Sequence, residues 1–159
     1  MPELDRIDFG IIAALQKNAR LSNKELAARV GLAPSSCLTR VRRLRQAGVL
    51  GSAHWRVDPH ALGIGLQAML AVRLRRHGRA DFDAFHQHAL ALPETVALYH
   101  ITGDDDFLIH VAVRDADHLR DLALDAFTTR PEVDRLRTSL VYDHQAQPGL
   151  PCYACDDAP

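Results

Sequence analysis

The chain has 159 residues, of which 47% are hydrophobic and 25% are charged, and its formal net charge is −1. These totals are typical of a soluble globular protein of one or two small domains. No apolar run approaches the roughly 20 residues of a membrane-spanning helix, and the start MPELDRIDFG lacks the pattern of a secretory signal, so we expect a cytoplasmic protein without a membrane partner.

Charge is distributed unevenly along the sequence. Residues 20–56 contain eight basic residues and one acidic residue, a net charge of +7, whereas residues 57–159 contain nine basic and sixteen acidic residues, a net charge of −7. A basic segment followed by an acidic one indicates two domains with different partners. Phosphate, and therefore nucleic acid, is the partner that the basic segment favours.

Three short helices are predicted at the start of the chain. The spacing of apolar residues predicts a helix near residues 4–18, an S-x-x-E capping box opens a second helix that ends at Gly31, and Pro34 suits the first turn of a third. Three short helices with tight turns predict a helix-turn-helix domain over residues 1–50. The β-prone segment that follows predicts a wing or a linker strand within residues 51–65.

The third predicted helix is amphipathic. At about 100° per residue, its apolar side packs on the first two helices, and the opposite side is polar. That polar side, with its flanks, comprises Ser35, Ser36, Thr39, Arg40, Arg42 and Arg43. Such a face fits the major groove of double-stranded DNA, where we expect Arg43 to contact a guanine and Arg40 and Arg42 to contact phosphates. The alternative is a solvated basic face without a partner.

The second half of the sequence predicts a ferredoxin-like domain over residues 66–145. Four apolar strands and two amphipathic helices follow one another in the order βαββαβ. The helices of such a domain cover only one face of the sheet, so we expect a second copy of the chain to cover the other. The resulting homodimer would also present two recognition helices to one duplex.

Residues 146–159 are predicted to be a tail. Its CxxC pair, Cys152 and Cys155, lacks the two further ligands of a closed zinc site and lies among Pro, Gly and Asp rather than at a helix start. An ordinary tail is therefore favoured over redox sensing or adventitious metal binding, and we expect no cofactor and no structural metal.

The segment LDRIDFG to AGVL, residues 4–50, resembles the N-terminal domain of the Lrp/AsnC, or feast/famine, family of transcriptional regulators. The LDxID opening, the VGLxxxxCLxRVRRL helix and the VDPxxLG linker all match that family. The stretch ITGDDDFLIHV resembles the glycine–acidic loop of the family's C-terminal domain, so the resemblance extends to about residue 145.

This resemblance implies an α+β protein in which a winged helix-turn-helix precedes a βαββαβ domain of the RAM or ACT type. It further implies dimers that often associate into tetramers or octamers. An amino acid or similar small metabolite binds between the dimers of such regulators and alters their assembly or DNA affinity. The regulator function and the homo-oligomer are what we expect of this chain.

The resemblance also implies an effector site. Mapped onto this sequence, the site consists of His100, Thr102, Gly103, Asp104, Asp105, Asp106 and Thr138. Gly103 permits close backbone approach, exposed N–H groups could hold a carboxylate, and an aspartate could accept an α-ammonium group. Asp105 stands where the family usually has an aromatic or apolar residue, and this departure leaves open a loop without a ligand or one that holds a cation.

Two other functions compete with an effector-responsive regulator. One is an architectural DNA-binding protein that responds to no metabolite. The other is an enzyme similar to the sirohaem decarboxylases, which resemble the family in architecture but have lost DNA binding. The arginines of the third helix and the GDDDFL loop favour the regulator, so we expect no enzymatic activity.

Overall fold

The computed structural model describes residues 3–76, 78–147 and 149–154. By its internal contacts the chain divides into two units, one containing Met1–Trp55 with Gln145–Pro159 and the other containing Arg56–His144. We call them the helical unit and the sheet unit. The tail predicted from residue 146 thus belongs to the helical unit, and Cys155 lies outside the described residues.

The helical unit contains α1 (Arg6–Lys17), α2 (Asn23–Val30) and α3 (Pro34–Gln46), as the helix-turn-helix prediction requires. Capping boxes, Asp5 with Asp8 and Ser22 with Glu25, open α1 and α2 because they satisfy backbone N–H groups that the first turn leaves unpaired. Gly31 ends α2 in the left-handed conformation, at φ +68°. The buried core of the unit is Ile11, Leu26, Ala27, Cys37, Val41 and Leu44.

The strand predicted within residues 51–65 is not formed. Residues 51–58 contain no regular element, and a 3-10 helix at Pro59–Leu62 follows them. The physical reason is that a strand needs a neighbour to pair with, and the sheet of this chain consists of four other segments. The β propensity of these residues was therefore not sufficient to form a strand.

The sheet unit has the predicted βαββαβ order. Its elements are β1 (Leu66–Leu74), α4 (Arg79–Ala91), β2 (Thr95–His100), β3 (Phe107–Val113), α5 (Ala116–Leu122) with a π-helical continuation at Ala123–Thr128, and β4 (Val133–Leu140). The strands lie in the order β2-β3-β1-β4, and all neighbours are antiparallel, so β2 and β4 are the two edges. The ferredoxin-like fold is confirmed.

The two faces of the sheet differ in burial. On one face Ala68, Leu70 and Val72 of β1 are fully buried, together with Phe85 of α4 and Phe127 of the π-helical turn. Alternate residues point the other way, because successive side chains of a strand alternate between its faces. We call that second face the open face; its residues include Gln67, Met69, Ala71, Arg73, Tyr99, Leu108, His110, Arg135, Arg137 and Ser139.

No helix in the described part of the chain combines the length and the apolar character needed to span a lipid bilayer.

Candidate DNA-binding surface and effector loop

The exposed side of α3 carries most of the residues predicted to contact DNA. Cys37, Val41 and Leu44 are buried in the helical unit and fix which side of α3 faces inward. Five of the six predicted residues are exposed on the remaining surface: Ser35, Ser36, Thr39, Arg42 and Arg43. The Thr39 hydroxyl donates to the Ser35 carbonyl oxygen at 3.0 Å, which fixes its rotamer on that surface.

The start of α3 is held by α2 rather than by its own cap. Ala33 precedes the helix and provides no side-chain hydrogen bond, as its methyl group cannot accept one. Instead, Nδ2 of Asn23 donates to the carbonyl oxygen of Pro34 at 2.7 Å. Because Asn23 is the first residue of α2, this bond keeps the beginnings of the two helices together.

Two arginines of α3 contact the first turn of α1. Nη1 of Arg40 donates to Oδ2 of Asp5 at 2.6 Å and to Oδ1 of Asp8 at 3.0 Å. Nη2 of Arg43 donates to Oδ2 of Asp8, whose side chain is 0% exposed. Exposure separates the arginines, since the Arg40 side chain is 28% exposed and that of Arg43 is 50% exposed. Arg40 is thus held mostly inward, whereas part of the Arg43 guanidinium still faces solvent.

These contacts also perturb ionisation. The hydrogen bond from the Asp8 backbone N–H and then that from Arg40 lower the pKa of Asp5, because both stabilise the carboxylate. The same pairing, with Asp5 first and Asp8 second, raises the pKa of Arg40. Both groups are therefore charged at neutral pH. The sequence contained a signal for this cluster, because an Asp pair three residues apart at the start of α1 matches an Arg pair three residues apart on α3.

The loop between β2 and β3 contains five of the seven predicted effector residues. Thr102, Gly103 and Asp104 are exposed, and Gly103 has φ +124°, which disfavours other residues there. Asp106 joins the loop to the end of β1, because its N–H donates to the Val72 carbonyl at 2.9 Å and its Oδ2 accepts from the Leu74 N–H at 2.7 Å.

Asp105 is turned inward and neutralised within the chain. Its side chain is 5% exposed and pairs with Nη2 of Arg137 and, at 3.4 Å, with Nη2 of Arg135. Burial alone would raise the pKa of Asp105, but the hydrogen bonds and charges of Arg137 and Arg135 outweigh burial and lower it. Its carboxylate is therefore engaged, and Asp104 is the aspartate of the loop that remains exposed.

His100 and Thr138 do not reach a common pocket within one chain. His100 is on edge strand β2, where its ring packs at 4.6 Å from that of Phe82, and Thr138 is on the opposite edge strand β4, paired with Leu70. Three strand spacings of about 4.8 Å separate the edges by roughly 14 Å. Sequence reasoning also missed Arg73, whose Nη1 donates to the Asp104 carbonyl at 3.4 Å.

No group of three or more His, Cys, Asp or Glu side chains in residues 3–76, 78–147 and 149–154 is arranged to hold a metal ion.

Two family models match the chain. Residues 67–148 match the Lrp/AsnC ligand binding domain, and residues 4–50 match a winged helix-turn-helix DNA-binding domain. Among curated proteins, the chain is 40% identical over 142 residues to the HTH-type transcriptional regulator AldR of Mycolicibacterium smegmatis, covering 89% of this chain and 83% of that protein. It is 35% identical over 145 residues to the leucine-responsive regulatory protein of Escherichia coli, covering 91% and 88%.

Solved structures give the same result. A transcriptional regulator of Neisseria meningitidis in complex with L-Met superposes with a TM-score of 0.82 at 30% identity, covering 91% of this chain and 93% of that one. Escherichia coli AsnC superposes with a TM-score of 0.80 at 27% identity, covering 92% and 97%.

Proposed function

The chain belongs to the Lrp/AsnC family of transcriptional regulators, and on this basis we propose how it binds DNA, assembles and senses a metabolite.

The recognition helix is α3. The observation that carries this assignment is the exposure of Ser36, Thr39 and Arg43 on the side of the helix opposite its buried core residues. Short polar side chains with one long arginine can approach base edges in the major groove, while the exposed Arg42 reaches a phosphate. Arg40 contacts phosphate with the donors that Asp5 and Asp8 leave free, and it also anchors α3 to α1.

The functional molecule is a homodimer that buries the open face of the sheet, and dimers associate further into tetramers or octamers. The half-buried Met69, Ala71 and Leu108 support this arrangement, because they give that face an apolar centre for a second copy to cover. Two recognition helices related by a two-fold axis then contact half-sites about 34 Å apart, one turn of DNA.

The effector is an α-amino acid bound at the loop of residues 102–106. The Neisseria regulator with L-Met and the leucine-responsive relative support this class of ligand. The loop N–H groups hold the carboxylate, and Asp104 accepts the ammonium group because Asp105 and Asp106 are engaged within the chain. His100 and Thr138 come from different chains of the assembly, since they lie on opposite edges of one sheet.

We infer a regulator rather than an enzyme, and because it acts on the chromosome we place it in the cytoplasm. The inference is supported by relatives that are transcriptional regulators over most of their length. A spectral change on incubation with sirohaem would instead favour a decarboxylase.

The experiment that tests the proposal is fluorescence anisotropy with labelled duplexes from the region upstream of its own gene. We expect binding that survives excess unrelated DNA and weakens steeply with salt. Binding without sequence preference, or none, contradicts the assignment. Thermal shift with each of the twenty amino acids follows. A ligand at a hundredfold excess over Kd stabilises the protein by about 2.7 kcal/mol, and a flat response to all twenty favours an architectural protein.

A further inference from the structure

The single tryptophan of the chain stacks on an arginine in the helical unit. Trp55 is 71% exposed, and the guanidinium carbon of Arg20 lies 3.8 Å from the centroid of its ring. Arg20 is itself exposed, and no carboxylate of the described residues lies within ion-pair distance of it. Stacking on the indole ring fixes the orientation of the guanidinium plane. The N–H donors at the edge of that plane stay available for hydrogen bonds.

Arg20 precedes α2, and the segment that leads to Trp55 lies beside the end of the recognition helix, where Ser52 and Ala53 line one cleft with Ala19 and Arg45. Arg20 belongs to the turn between α1 and α2, where its N–H donates to Oδ1 of Asn18 at 3.0 Å, three residues before α2 begins at Asn23. The bond from Asn23 to the Pro34 carbonyl places that end of α2 beside the first turn of α3. In a helix-turn-helix, the helix before the recognition helix crosses the DNA backbone, so this end of α2 is where phosphates pass.

The segment that carries Trp55 occupies the place of a wing without forming a strand. Residues 51–55 are exposed and irregular, and the Ser52 hydroxyl lies 2.6 Å from Nε2 of His54. The indole of Trp55 is a large, rigid surface with an apolar body and a polar N–H, which suits contact with a partner that is partly polar. Arg20 covers one face of the ring, and the rest is open to a partner.

We propose that Arg20 and Trp55 form a second DNA contact beside the recognition helix. The guanidinium of Arg20 donates to a backbone phosphate that flanks each half-site, and the ring of Trp55 holds it in the required plane and packs against the adjacent sugar. This contact adds affinity without reading bases, because phosphates carry no sequence information. It rests on the proposed DNA-binding function but requires residues outside α3.

Because Trp55 is the only tryptophan, its fluorescence reports on this site alone. We expect a saturating specific duplex to reduce acrylamide quenching of Trp55 at least twofold in the wild-type protein. Unchanged quenching while anisotropy shows full binding overturns the contact and leaves the proposed function intact. Quenching that is already weak without DNA and unaffected by it also overturns the contact, because another protein surface then covers the ring.

Substitutions distinguish a specific role of Arg20 from the general effect of removing one positive charge. Arg20→Ala should lower the slope of log K against log salt by about 0.9 and weaken binding roughly five- to tenfold at 0.1 M salt, equally for specific and unrelated DNA. Arg29→Ala is the matched control, since Arg29 is an exposed arginine in the last turn of α2 that shares a cleft with Arg6 and Lys17 of α1 and does not stack on Trp55. Arg20→Lys should recover part of the slope. Equal effects of Arg20→Ala and Arg29→Ala overturn the proposal.

Discussion

Nη1 of Arg40 in α3 donates to Oδ1 of the fully buried Asp8 in α1 at 3.0 Å. Arg40, which was predicted to contact a phosphate, is therefore also tied to the interior of the helical unit. This dual role determines which substitutions report on DNA binding and which report on folding.

Asp8→Ala should destabilise the helical unit. The change removes a buried carboxylate that accepts from both Arg40 and Arg43, so Arg43 loses this partner and Arg40 keeps only Asp5. Because the arginines are partly exposed, we expect a loss of about 1–3 kcal/mol in the free energy of unfolding, measured by urea denaturation. Asp83→Ala is the control, since its pair with Arg79 is exposed and should contribute little. Equal stability of the two variants would show that the Asp8 cluster is not structural.

Arg43→Ala and Arg42→Ala should differ in what they do to DNA binding. Loss of Arg43 should relax the preference at one base pair by about 1–3 kcal/mol, whereas loss of Arg42 should weaken all sequences about equally. Anisotropy with a set of single-base operator variants measures both. Arg40→Ala is less informative, because it breaks pairs with both Asp5 and Asp8. Arg43→Ala breaks one pair with Asp8, so its free energy of unfolding in urea is measured beside its DNA binding. Identical profiles for Arg42→Ala and Arg43→Ala would mean that α3 is rotated relative to our proposal.

The sheet unit should become less stable at low pH because Asp105 becomes protonated. Its pKa is lowered in the folded chain, so its contribution is present above the ordinary value of 3.8 and is lost as the pH falls through the lower folded value. The free energy of unfolding, measured by urea denaturation, should therefore fall less between pH 7 and pH 3 for Asp105→Asn than for the wild type. An unchanged difference would contradict the pairing with Arg137.

Met69→Asp should dissociate the dimer. Met69 lies in the middle of the open face, opposite His110 on β3 and Ser139 on β4, so a new carboxylate there would be buried in the proposed interface. Analytical ultracentrifugation should show monomers, and binding to a two-half-site operator should fall. Leu90→Asp on α4 is the matched control, because Leu90 is already exposed. A dimer that tolerates Met69→Asp must assemble through another face.

Gly103→Ala should abolish the response to the effector and leave DNA binding intact. A Cβ there has open space around it, but φ +124° strains any other residue, so the loop must change its backbone. Gly10→Ala is the control, since its Cβ would make only an ordinary contact with Val30 at 3.5 Å. DNA binding with and without the amino acid that shifts the melting temperature measures the response, and a response that survives would move the effector site elsewhere.

Periodicity was sufficient to predict α1 to α5, the four strands of the sheet and the polar side of α3, because each depends on residues near in sequence. The strand predicted within residues 51–65 was wrong, because pairing with a neighbouring strand is not a local property. Periodicity was also not sufficient for Asp104, Asp105 and Asp106, which we treated as one acidic cluster. Asp106 binds the Leu74 N–H, Asp105 binds Arg137 across β1, and Asp104 faces solvent. Those contacts depend on the pairing of β1 with β4, which cannot be read from a local sequence pattern.

The separation of β2 and β4 across the sheet has a consequence for how the regulator responds in the cell. If His100 and Thr138 must come from different chains to complete a pocket, an isolated chain cannot detect the metabolite at all. Sensitivity then depends on how many copies are present as well as on how much nutrient is present. When cells grow without synthesising more of the protein, its concentration falls and the chains separate. The response to the metabolite would then be lost even when the metabolite is abundant.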